Sequence, residues 1–162
     1  MPNLLIVRNS YPDLESVQRL LNYVLRTPFY GGYAIDPEQA YDQMRLVKEA
    51  YHKTEGVQLK HFLLTFSHEE MMHLDFKDLL ELGFQVGKVL ERYQIVYCIH
   101  LDSDYIHMHF VMNTVSFEDG KKYSDGLVGF QRVKDFLEKR FPKWNTQLIF
   151  REVYAPPHYK KM

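Results

Sequence analysis

The chain is predicted to fold as an α+β domain, a mainly antiparallel sheet with helices packed on it. Short runs rich in β-branched and aromatic residues alternate with longer segments of 3.6-residue apolar period, and no repeat, low-complexity tract or linker interrupts them. Size agrees: 162 residues with 46% hydrophobic content suffice for one core. A single domain over 1–154 is expected, with 155–162 a loose tail.

The elements follow in order. Leu4–Val7 is a buried strand, and Tyr11-Pro12-Asp13 a turn with Asp13 as helix cap. Leu14, Val17, Leu21 and Val24 keep helical period, so a helix is expected from about Leu14 to Arg26, stopped by Thr27-Pro28. Phe29–Ile35, holding Tyr30-Gly31-Gly32-Tyr33, reads as an aromatic loop. Asp36-Pro37 starts a second helix to about Tyr51. Lys60–Phe66 is a strand. Ser67 with Glu70 has capping-box spacing, Asp75 is a competing start, and the later one is preferred. Between Phe76 and Leu90 the apolar stripe includes Gly83 and Gly87, which would let that helix sit close to a sheet. Tyr93–His100 and Ile106–Ser116 read as an antiparallel pair, Glu118-Asp119-Gly120 as a turn, Leu127–Arg140 as a helix and Thr146–Val153 as the last strand.

Charge and composition bound the function. Twenty Lys+Arg against 21 Asp+Glu give a net charge of −1, so no global positive field marks a nucleic-acid binder and any such site must be local. Cys98, the single cysteine, removes a disulfide framework and a multi-thiolate zinc site. No leader and no apolar run near the ~18 residues of a membrane span is visible, so a soluble cytoplasmic protein is expected.

The most informative stretch is His100-Leu101-Asp102-Ser103-Asp104-Tyr105-Ile106-His107-Met108-His109, closing at Asn113. Strand side chains alternate, so His107 and His109 share a face with Val111 and Asn113, while Met108 and Phe110 face an apolar layer. A short connection folds His100 back beside them. Three imidazoles then form a site for a divalent ion, with positions left open for water or a phosphate oxygen. The bland alternative is a solvated strand face with one histidine bonded at a strand end. Asp102 either accepts a ring N–H of a ligand histidine or caps the turn, and Asn113 is a candidate supporting residue on the same face. His52, His61, His68, His73 and His158 fit no comparable arrangement.

This pattern, His-x-Asp-x-x-x-x-His-x-His-x-x-x-Asn, resembles motif III of the MobP-type relaxases, mobilisation nucleases of the HUH superfamily. Tyr30–Met44, His61–Glu70 and Asn113–Tyr123 also look like that family in order and spacing. The resemblance implies a five-stranded core with the histidines on central strands. It implies an enzyme that nicks single-stranded DNA at an origin of transfer through a tyrosine left joined to the 5′-phosphate, and His100, His107 and His109 holding the ion. Mg2+ or Mn2+ is expected, with Zn2+ or Ni2+ also compatible. Accessory DNA-binding proteins and a coupling protein are the implied partners.

By the same resemblance Leu20-Leu21-Asn22-Tyr23-Val24-Leu25 matches the setting of the nucleophile, which makes Tyr23 the candidate. On the helical wheel Tyr23 lies about 140° from the centre of the apolar stripe, with Arg19 and Arg26 at i−4 and i+3 to hold phosphate oxygens. On periodicity alone the same pattern fits a tyrosine and two arginines in water. Tyr11, Tyr30 and Tyr33 compete. Lys121, Lys122, Lys134, Lys139, Arg140, Lys160 and Lys161 are candidate phosphate contacts or ordinary surface charges. Other readings are a replication-initiator nuclease of the same superfamily, a catalytically weak single-strand DNA-binding accessory, and a metal-dependent hydrolase unrelated to DNA.

Overall fold

Six strands form one sheet in the computed structural model, which describes residues 2–101 and 106–142 and the backbone of 149–153. In chain order the elements are β1 (Asn3–Val7), α1 (Leu14–Val24), β2 (Tyr30–Tyr33), a 3₁₀ turn at Pro37–Gln39 running into α2 (Ala40–Ala50), β3 (Leu59–Phe66), α3 (His68–Met71), α4 (Phe76–Leu90), β4 (Ile95–His100), β5 (Ile106–Asn113), α5 (Val128–Arg140) and β6 (Ile149–Val153). The strand order is β2-β4-β5-β3-β1-β6. Neighbours from β2 to β1 are antiparallel, and β6 joins the edge parallel to β1. The α+β, mainly antiparallel class is the one expected. The tail 155–162 and Asp102 lie outside the described residues.

Alternation along each strand separates two cores. Phe62, Leu64, Phe66, Tyr97, Ile99, Met108 and Phe110 point to the α4 and α5 side, where Leu79, Leu82, Val86, Phe130, Val133 and Leu137 cover them. Val96, Cys98 and Val111 point to the opposite side, beneath Val17, Leu20, Leu21 and Val24 of α1 and Met44 of α2. The sheet is thus sandwiched, and the side chains of His100, His107 and His109 belong by the same alternation to the α1 face.

Local signals explain most boundaries. Asp13 caps α1 by accepting from the Ser16 N–H at 2.8 Å. Both candidate starts after β3 are used: the Glu70 N–H donates to Ser67 Oγ at 3.3 Å, opening the short α3, and Asp75 with Asp78 forms a reciprocal capping box at the head of α4. One difference is substantive. Tyr30–Tyr33, expected as a loop, is a strand pairing with β4 from Tyr30↔Cys98 to Tyr33↔Ile95. Its glycines admit a close neighbour: a Cβ on Gly31 would lie 2.6 Å from the Tyr97 ring.

The same ring explains one glycine of α4, and Tyr33 explains the other. A Cβ on Gly83 would stand 2.4 Å from Tyr97 Cδ2, and one on Gly87 2.5 Å from Tyr33 Cβ. Gly83→Ala is therefore expected to destabilise the fold by about 1–3 kcal/mol, measured by urea unfolding, despite alanine's better helix propensity.

Candidate active site

The β4/β5 register sets His100 opposite His107 and Cys98 opposite His109, so three imidazoles converge from two central strands. Ring centroids of His100 and His109 are 4.4 Å apart, and those of His107 and His109 6.2 Å. Tyr23, in the last turn of α1, presents its ring edge-on to His100 at 5.3 Å and to His109 at 6.0 Å. Tyr23, Arg26, Phe29, His100 and Leu101, with Thr27 and Pro28, line an open cavity of about 470 Å³. The tyrosine is therefore half-buried against the histidines.

Hydrogen bonds fix which nitrogens face which way. His100 Nε2 bonds the Val24 carbonyl at 3.0 Å; a carbonyl only accepts, so Nε2 carries a proton. His109 Nδ1 meets His61 Nε2 at 2.9 Å, and His61 Nδ1 meets the Tyr11 hydroxyl at 2.9 Å. His61, expected to stand apart, is thus part of the cluster. Burial pushes its pKa down to about 3, the His100 charge adding to the effect, so its imidazole is neutral. Burial likewise raises the Tyr11 phenol above its ordinary value.

Imidazole nitrogens suit a first-row divalent ion, and Nδ1 of His100 is not used in the Val24 bond. Among the described residues, no three His, Cys, Asp or Glu side chains already stand in an arrangement that could hold a metal ion.

Several expected site residues lie elsewhere. Arg19 is bound to Glu15 at 2.7 Å, one turn back on α1, and does not line the cavity; a carboxylate neighbour has taken the guanidinium meant for phosphate. Lys121 and Lys122 are at the other end of the sheet, because β5 runs away from His107 and Val115, beyond its far end, pairs with Lys122. Tyr30 donates to Glu38 Oε1 at 3.1 Å and Tyr33 to the Glu91 carbonyl at 2.6 Å, so neither phenol turns to the histidines.

Asn113 does not support the ligands either. Its Oδ1 accepts from Lys48 Nζ at 2.7 Å and from the Val115 N–H at 3.1 Å, while its Nδ2 donates to Gln94 Oε1 at 3.0 Å. Lys48, fully buried, also donates to the Gln58 carbonyl at 2.7 Å. The pair ties α2 to the far end of β5. Burial, helped by the Lys122 charge, pushes the Lys48 amine from 10.5 down to about 7. Between those values the unfolded chain holds a proton that the folded chain lacks, so stability must rise with pH, by up to about 1.4 kcal/mol per unit. Above 9 the buried Cys98 thiol, pushed up from 9.0 to about 12, opposes it. Unfolding free energy is expected to climb from pH 7 to 9, and Lys48→Met to remove most of that slope.

The family model "Relaxase: MobA/VirD2-like, nuclease domain" matches residues 23–141, and the chain belongs to that relaxase family. Two curated relatives, both Protein rlx of Staphylococcus aureus, are 28% and 26% identical over 129 residues; each alignment covers 78% of this chain and 38% or 39% of the relative. The chain therefore spans under two fifths of their length. Among solved structures, the MobM relaxase domain (MOBV; Mob_Pre) bound to 26-nucleotide pMV158 oriT DNA shares the fold at a TM-score of 0.55 and 14% identity, over 91% of this chain and 88% of that one.

Proposed function

We propose that the chain is a nuclease that nicks one DNA strand at an origin of transfer, with Tyr23 as nucleophile and a divalent ion held by His100, His107 and His109. The observation that carries the reading is the contact of the Tyr23 ring with His100 and His109 beside an open cavity. The substrate is single-stranded DNA, and the setting is mobilisation of a plasmid or integrative element in the cytoplasm, with accessory DNA-binding proteins and a coupling protein as partners. No helix among the described residues is long and apolar enough to cross a membrane.

The chain's own residues divide the work. Tyr23 Oη attacks phosphorus, forming a phosphotyrosyl bond at the 5′ side as the bond to the 3′-oxygen breaks; the phenol gives up its proton and the departing oxygen gains one, leaving a 3′-hydroxyl. Bond type is conserved, so the same site can reseal. Arg26 at the cavity wall holds a phosphate oxygen, and Phe29 beside it offers a face for a base. Mg2+, Mn2+ or a similar ion bound at the histidines would neutralise charge developing on the scissile phosphate.

The test is an incubation of the purified chain with labelled single-stranded DNA from the neighbouring genomic region, with and without Mn2+ or Mg2+. A metal-dependent protein–DNA conjugate stable to denaturation is expected. Tight binding with no conjugate in saturating metal would instead identify a DNA-binding accessory.

A further inference from the structure

Behind the ligand histidines runs a buried chain of three groups: Tyr11 Oη to His61 Nδ1 at 2.9 Å, and His61 Nε2 to His109 Nδ1 at 2.9 Å. All three residues are almost wholly inaccessible, at 4%, 1% and 2% exposed. The His61 and His109 rings lie edge to edge and nearly coplanar, with centroids 5.2 Å apart and planes 24° apart, the arrangement that an imidazole-to-imidazole hydrogen bond requires. No surface role accounts for a tyrosine and a histidine buried this way behind the strand histidines.

The backbone is built to deliver the phenol. Tyr11 has φ +44, a left-handed conformation unusual for a bulky residue. It is held there by its N–H donating to Asn9 Oδ1 at 3.1 Å and its carbonyl accepting from the Gln58 N–H at 3.0 Å. Such strain persists when the surroundings over-determine it, and the outcome here is a hydroxyl aimed at His61.

We propose that Tyr11 and His61 are positioning residues that set the tautomer of His109. The inference rests on the metal reading above. Protons on this chain have two consistent arrangements. In one, Tyr11 donates to His61, which donates to His109 Nδ1, leaving the proton of His109 on Nε2. In the other, His109 Nδ1–H donates to His61 Nε2, and His61 Nδ1–H donates to Tyr11. Only the second leaves a lone pair on His109 Nε2, the nitrogen turned away from His61. An ion at Nε2 therefore commits His61 to its Nδ1–H form, and each member of the chain holds the next.

The readout is the tautomer itself, followed by 15N-resolved NMR of the histidine side chains in the full chain with and without Zn2+, together with calorimetric Mn2+ affinity. In the Zn2+-bound protein, His61 and His109 are both expected as Nδ1–H. His61→Phe should weaken Mn2+ binding by about 10- to 100-fold. His61→Gln, whose amide oxygen can accept from Nδ1–H, should recover most of it, and Tyr11→Phe, which deletes one hydroxyl and leaves His61 Nδ1–H without its acceptor, should cost less than His61→Phe. His61 found as Nε2–H in the Zn2+-bound protein, or Mn2+ affinity unchanged in both His61→Phe and Tyr11→Phe, would overturn the proposal. Failure of the unaltered chain to bind any divalent ion, with His61 and His109 still both Nδ1–H, would overturn the metal reading and uphold the chain of hydrogen bonds.

Discussion

Replacing Tyr23 by phenylalanine is expected to abolish the covalent adduct with origin DNA while leaving fold and ion affinity in place. The substitution removes one oxygen and keeps the half-buried ring that meets His100 and His109, so packing survives. Loss of a nucleophile that acts as a unit with its surroundings costs at least about 10⁴-fold in turnover. The check is a denaturing gel with labelled oligonucleotide, run beside Mn2+ calorimetry. An adduct that persists would move the nucleophile to another residue. Tyr11, Tyr30 and Tyr33 are poor substitutes, since their hydroxyls already bond His61, Glu38 and Glu91.

The second large effect separates two histidines that look equivalent in the motif. His107→Ala and His109→Ala should both eliminate measurable Mn2+ binding, because two imidazoles do not replace three. Their stabilities should part. His109→Ala leaves the buried His61 Nε2 without its 2.9 Å partner, at a cost of about 1–3 kcal/mol in addition to lost packing. His107 is only partly buried at the mouth of the strand pair, so its loss should cost less. Urea unfolding of the two variants without metal measures the difference.

How far the sequence carried this picture can be traced residue by residue. Helix and strand periods were readable because each element buries one face, and the shared side of His107 and His109 followed from alternation alone. The Tyr30–Tyr33 strand was not, because Gly31 and Gly32 supply no side chain to alternate; it pairs with β4, and the Tyr97 ring of that strand fills the space a Cβ on Gly31 would take. His61 was missed for a different reason. Its strand is next to β5 only through the sheet order, which puts Leu63 opposite His109 and His61 diagonally behind it. A histidine alternating with Phe62 and Leu64 in an apolar strand was the available signal. Asn113 shared the right face but stands four residues along β5 from His109, where a buried lysine claims its carbonyl oxygen.

The bond from His100 to the Val24 carbonyl ties His100 to the helix end that carries the phenol, since Tyr23 immediately precedes Val24 in α1. On the proposed roles, attacking atom and ligand are thereby strung on a single tether. A shift of the helix end would therefore move the imidazole and the phenol together, so on those roles the two would be aligned or misaligned as one.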